Sequence, residues 1–214
     1  MGKFTDKVVL ITGAGKGTGR AAAEAFAAQG AVVAAADVTP INLDETVARI
    51  TASGGRVKAY IADIAKKLPV QGLLNQVLDD FGRIDILVNC AEVEPQKTVL
   101  EMDEWDWVRT LDVNLTGAFL LTQSTGRIMK EQGGGVIVHI GSRSKGDALS
   151  LSKGQEKRAA YFASKAGLEA LVESAAQEFA AFGVKVGLLD GKDSHLIEEL
   201  LSFCSQPGGR NDRA

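Results

Sequence analysis

The sequence predicts an α/β fold: one doubly wound parallel sheet with helices on both faces. Six short runs are apolar almost throughout, helix-length segments separate them, and a glycine-rich turn joins the first run to the first such segment. Strands covered on both faces read as continuous apolar stretches, and regular β-α-β alternation gives a parallel sheet with right-handed connections. In chain order, "KVVLIT" (7–12) is the first strand, and an alanine-rich helix over 17–29 follows, closed by Gly30. "AVVAAA" (31–36), a helix over 42–53, "VKAYIA" (57–62) and a helix over 69–81 complete the first half. "DILVNC" (85–90), a long helix over 103–131, "GVIVHIG" (135–141), a helix over 160–182 ending before Gly183, and "VKVGLL" (184–189) form the second. A last helix is expected near 193–204, and Arg143–Ala159, rich in Lys, Ser and Gly, is expected to be irregular.

At 214 residues the chain suits one well-buried domain, here 1–206, followed by a polar tail, 207–214, expected to fray. A net charge of −3 from 24 basic and 27 acidic residues, interspersed, gives no basic stripe for a nucleic-acid backbone. The start "MGKFTDKVVLITG" lacks the pattern of a secretion signal, and no apolar run approaches the roughly 20 residues that span a bilayer. Cys90 and Cys204 are far apart and without metal-ligand spacing, so no metal is expected and the reducing cytoplasm is the expected compartment. His139, on an apolar strand, reads as a satisfied core imidazole. Asp103 and Glu104 suit a helix's first turn, with one of Trp105 and Trp107 packed and the other partly exposed.

The turn "TGAGKGTG" places Gly13, Gly15, Gly17 and Gly19 where a strand hands over to a helix. Glycine weakens regular elements, so this cluster requires positive φ or a backbone that another group approaches closely. In such a sheet the first turn aims its N–H groups and the positive end of a helix dipole at an anion. Gly13 makes the turn, Gly17 leaves room for a pyrophosphate, and Gly19 allows close helix packing, a dinucleotide reading weighed against an ordinary tight turn. Asp37, ending the second strand, is either an acceptor for the adenosine ribose hydroxyls, which would favour NAD over NADP, or a local loop carboxylate. Lys16 beside the turn would tolerate a 2′-phosphate, leaving NADP possible. Tyr161 and Lys165 lie one helical turn apart, where an ammonium brings the phenol towards a usable acid or base. The spacing alone is a common coincidence, but Ser142, ending the fifth strand, would meet them at the same sheet edge.

These residues together resemble the short-chain dehydrogenase/reductase family, of the 3-oxoacyl-(acyl carrier protein) reductase and polyol or steroid dehydrogenase type, over roughly residues 5–190. Thr12 to Gly19, with Lys16 and Thr18 inside it, matches the family's glycine motif; Asp63-Ile64 matches its adenine-holding pair; Asn89-Cys90-Ala91-Glu92 matches N-N-A-G; and "VNLTG", 113–117, matches its central helix signature. The resemblance implies a Rossmann fold, an NAD(P) cofactor and hydride exchange with a secondary alcohol or ketone. It makes Tyr161 the acid/base, Lys165 the group that lowers its pKa and binds the nicotinamide ribose, Ser142 the orienter of the carbonyl, and Asn114 the residue that kinks a helix and holds a relay water. Glu92 departs from the family's glycine, the interval from Ser142 to Tyr161 is long, and the segment after "VKVG" runs almost directly into a helix, so the family's substrate lid and last strand are expected to be missing. The departures also allow a catalytically impaired dinucleotide-binding or interaction module. A homodimer through 103–131 and 160–182 is implied.

Overall fold

In the computed structural model, which describes residues 2–141, 157–191 and 194–206, alternate residues of each central strand are buried on opposite faces of one sheet. The strands are β1 (Val8–Thr12), β2 (Val32–Asp37), β3 (Arg56–Ile61), β4 (Ile86–Asn89), β5 (Gly135–Gly141) and β6 (Val184–Asp190). All pair in parallel, in the order β3-β2-β1-β4-β5-β6. Val9, Ile11, Val33 and Val88 pack on one face with Phe26 of α1 (Gly17–Ala28) and Leu200 of α7 (Leu196–Ser205). Leu10, Ala34, Leu87 and Ile137 pack on the other with α3 (Lys67–Phe81), α5 (Ala118–Gln132) and α6 (Ala159–Phe179). Burial on both faces is why these strands carry no polar alternation. α2 (Pro40–Ala52) and α4 (Glu104–Leu111) complete the helices.

The sequence reading is corrected at four places. β3 is not covered on both faces: as an edge strand it buries only Tyr60, and Ile61 is exposed. Both tryptophans of α4 reach solvent, Trp105 at 72% and Trp107 at 39% exposure. The expected helix over 103–131 runs without a gap from Glu104 to Gln132 but is not uniformly α-helical: a π-helical stretch at Asp112–Gly117 lies between α4 and α5. Ala159, placed in the irregular segment, begins α6. Among the described residues the sheet ends at β6 and contains no seventh strand; the expected frayed tail, 207–214, lies outside them.

The amino end of the sheet is pinned by one carboxylate. Asp85, just before β4, accepts from the Val8 N–H at 2.9 Å, from Lys7 Nζ at 3.2 Å and from Arg83 Nε at 2.9 Å. Its backbone meanwhile bonds Val8 and Val136, which joins the starts of β1, β4 and β5. Burial pushes the Asp85 carboxyl up, but the bonds from Arg83, Val8 and Lys7 outweigh it and hold the group below the usual carboxylate range.

Candidate active site

The strand order reverses direction between β1 and β4, and beyond their carboxyl ends a cavity of about 520 Å³ opens. That is where open parallel sheets bind ligands. Its wall runs from Asp37 and Thr39 past Gly17 and Thr18 to Glu92 and Tyr161.

The glycine turn is built by exclusion. Gly13 sits at φ +68°, and a Cβ there would come within 2.7 Å of the Ala91 nitrogen, so β1 and the loop after β4 could not lie so close. A Cβ at Gly19 would collide with the Gly13 carbonyl, so the first turn of α1 packs directly on the turn before it. Gly17, at φ +54°, borders the cavity, and a Cβ there would meet no atom within 4 Å. At Gly17 the N-terminus of α1 therefore opens on the cavity without a side chain of its own, as close approach of an anion such as a pyrophosphate requires. Polar groups behind the turn hold its shape. Thr46 Oγ1 donates to the Ala14 carbonyl at 2.8 Å, and Arg20 donates to the Gly15 carbonyl and, at 3.0 Å, to Thr46. Lys16 stands exposed just before α1 and also borders the cavity.

Both alternatives for Asp37 bear on the geometry. The carboxylate borders the cavity, yet its Oδ2 accepts from the Gly15 N–H and its Oδ1 from the Thr39 N–H, each at 2.9 Å, so it braces the glycine turn locally. Asp63 and Ile64 border the same end. Asp63 is bonded by the Ala65 N–H at 3.1 Å and by Arg109 Nη1 at 3.0 Å; burial acts upward on it, but these bonds hold its carboxyl below the ordinary range. Arg109 was not singled out in the sequence, because its partner is 46 residues away.

Asn89 and Ala91, at and after the end of β4, are placed differently. Ala91 borders the cavity, whereas Asn89 is buried and takes part in a chain of bonds across the sheet. Thr12 Oγ1 donates to Asn89 Oδ1 at 2.6 Å, and Asn89 Nδ2 lies 3.1 Å from His139 Nδ1. His139 Nε2 lies 2.8 Å from Thr122 Oγ1, which itself donates to the Ala118 carbonyl. An amide NH₂ can only donate, so Nδ1 accepts and the imidazole is neutral with its proton on Nε2. Burial, assisted by the Lys165 charge, pushes His139 down to about 4. The expectation of a satisfied core imidazole holds.

At the far end the π-helical stretch presents Asn114 to the loop after β4. Its Oδ1 accepts from the Val93 N–H and its Nδ2 donates to the Val93 carbonyl, both at 2.9 Å, and Nδ2 also lies 3.1 Å from Ser164 Oγ of α6. The first turns of α6 bring Tyr161 to the same wall and bury Lys165 beside it, with Lys165 Nζ 5.1 Å from the Tyr161 ring centre. Glu92, read from sequence only as a departure, reaches both: its Oε2 lies 2.8 Å from Lys165 Nζ and accepts from the Tyr161 hydroxyl at 3.4 Å. Arg158, one helical turn before Tyr161, lies over the Tyr161 ring at 4.6 Å and pairs with Glu94. The i, i+3 spacing to Tyr161 could have singled it out. Burial and the Glu92 charge push the Cys90 thiol up to about 12. Ser142 lies outside the described residues. Among the described residues no group of three or more His, Cys, Asp or Glu side chains is placed to hold a metal.

Comparisons with known proteins agree with this architecture. The family described as short chain dehydrogenase matches residues 7–190. The chain is 37% identical over 187 residues to D-threitol dehydrogenase of Mycolicibacterium smegmatis, covering 87% of this chain and 70% of that one. It is equally similar, 37% over 187 residues, to 3-oxoacyl-[acyl-carrier-protein] reductase of Synechocystis, covering 87% and 73%. A metagenomic short-chain oxidoreductase solved in complex with NADP superposes with a TM-score of 0.87 at 26% identity, covering 96% of this chain and 94% of that one. The glycine turn, the strand order and a match over 7–190 lead to one conclusion: the chain belongs to the short chain dehydrogenase family, the NAD(P)-dependent short-chain dehydrogenase/reductases.

Proposed function

We propose that the chain catalyses reversible hydride transfer between NAD(H) or NADP(H) and a small secondary alcohol or ketone, with Tyr161 as the acid/base. The observation that supports it most is that Tyr161 lines a cavity beginning at the N-terminus of α1, with the buried Lys165 ammonium 5.1 Å from its ring centre. Gly13, Lys16, Gly17, Thr18 and Gly19 would hold the pyrophosphate, Asp37 the adenosine ribose, and Asp63 with Ile64 the adenine. Asn89 and Ala91 would flank the dinucleotide, and Lys165 would bind the nicotinamide ribose. NAD is favoured because the Asp37 carboxylate would repel a 2′-phosphate; exposed Lys16 keeps NADP possible. When bound, the nicotinamide supplies or accepts the hydride.

The chain's own part is proton management. In reduction Tyr161 gives its hydroxyl proton to the carbonyl oxygen, and in oxidation the phenolate takes the alcohol proton. The Lys165 ammonium favours the phenolate over the phenol. Ser142 would orient the substrate oxygen, and Asn114 fixes the loop that carries Glu92 through its bonds to Val93. With NADH and a panel of ketones and 3-oxoacyl thioesters, Tyr161→Phe is expected to lower kcat roughly 10³-fold while cofactor affinity measured by calorimetry stays within a few-fold. Turnover near the parent rate in that variant defeats the assignment. Tight dinucleotide binding by the parent with no turnover on any substrate favours the alternative, a binding or interaction module.

The same reading includes a homodimer through the two helical segments at 103–131 and 160–182. Supporting it, Trp105, Val108 and Phe119 are exposed along α4 and α5, a density of large apolar groups at the surface that suits an interface.

A further inference from the structure

Glu92 enters the cavity as a charged group on the two residues that matter most there, and the reaction as proposed assigns it nothing. We propose that Glu92 is a positioning residue for the Tyr161–Lys165 pair: its carboxylate anchors the Lys165 ammonium and, as an acceptor for the Tyr161 hydroxyl, restrains loss of the phenolic proton. The proposal rests on the reading of Tyr161 as acid/base for its functional meaning, although its effect on the phenol stands independently.

Three distances define the cluster: 2.8 Å from Glu92 Oε2 to Lys165 Nζ, 3.4 Å from the same oxygen to the Tyr161 hydroxyl, and 5.1 Å from Lys165 Nζ to the Tyr161 ring centre. One carboxylate oxygen thus meets both members of the pair. Lys165 is almost wholly enclosed, whereas Glu92 is about half in solvent, so the anion can be removed without opening the core. A nearby cation eases ionisation, a nearby anion opposes it, and a hydrogen bond to a carboxylate favours the neutral phenol. Here all three act within one cluster, and Glu92 offsets what Lys165 provides.

Among the described residues, other titratable groups stand near the cluster. The Arg158 guanidinium lies over the ring face but is paired with Glu94, from the same loop as Glu92. Cys90, before Glu92 on that loop, is held as a neutral thiol by burial, and His139 on β5 is neutral above about pH 4. Asn114, from the π-helical stretch, carries no charge.

The chain permits a direct reading of this effect because it has two tyrosines, Tyr60 and Tyr161. Burial and the donation of its hydroxyl to Asp80 at 2.7 Å push Tyr60 far up, so it ionises last. Tyrosinate absorbance followed against pH in the full chain without cofactor then resolves Tyr161 as the first step, and Tyr161→Phe verifies this by abolishing that step. In Glu92→Gln, which keeps the shape and an acceptor, the first step is expected to move about one pH unit lower, a tenfold rise in the ionisation constant. Glu92→Gly should move it in the same direction. A first step that stays in place or moves higher in both variants overturns the proposal. If the step moves as expected but Tyr161→Phe retains full turnover, the acid/base reading fails while the Glu92 effect stands.

Discussion

His139 shows how one side chain's protonation is tied to the fold. Asn89 donates to its Nδ1 and its Nε2 proton goes to Thr122, so a second ring proton would confront an amide NH₂ inside the sheet. The native state therefore resists protonation down to about pH 4, whereas an unfolded imidazole binds a proton near 6.5. Between those values the unfolded chain holds more protons, so stability falls as pH drops through the window, by about 3 kcal/mol in all, and is unaffected by this group above it. Urea unfolding at a series of pH values should show that slope, and His139→Gln should flatten it while lowering stability at pH 7. An unchanged slope in the variant would assign the acid sensitivity to other groups. Thr12, Asn89, Thr122 and His139 are each ordinary in sequence; the network exists because β1, β4, β5 and α5 meet, and that lies 17 to 77 residues beyond any local pattern.

At the scale of elements, most of the fold was legible. The strand runs, the glycine turn and the Tyr161–Lys165 turn are local patterns, and local patterns survive folding when burial agrees with them. Gly13 and Gly19 show the close backbone approach, and Gly13 and Gly17 the positive φ, that the sequence implied. What escaped were properties of assembly. β3 reads as apolar as its neighbours, but its exposure follows from being outermost in the sheet order. Arg109 and Glu92 find their partners across 46 and 73 residues, and the π-helical stretch leaves no periodic trace over a single turn. That stretch is maintained by a specific bargain: it delivers the Asn114 amide to both backbone groups of Val93. Asn114→Ala strands a donor and an acceptor in a partly buried loop. It should cost about 2 kcal/mol, seen as a loss of roughly 4–8 °C in Tm by circular dichroism. Activity should fall further than stability alone explains, since the same loop carries Glu92 and Ala91. A variant with parent-like Tm would show that the loop holds its place without the amide.

For the molecule as a whole, α4 and α5 carry four of the large apolar side chains exposed among the described residues, Trp105, Trp107, Val108 and Phe119. Sedimentation of the parent chain at micromolar concentration should give a dimer, and Trp105→Glu, which puts a charge at a residue 72% exposed, should give a monomer with unchanged helix content. A parent that sediments as a monomer removes the interface. The division between the two ends of the sheet has a broader consequence. Asp85 gathers β1, β4 and β5 at the pole remote from the cavity, through contacts that no residue of the cavity makes. Strand alignment is thus bolted at the base while the rim is left adjustable, so substitutions around Glu92 or Asp37 can retune chemistry without loosening the frame. Neutralising the single carboxylate below would do the reverse, slackening three strands at once and blurring every distance above them.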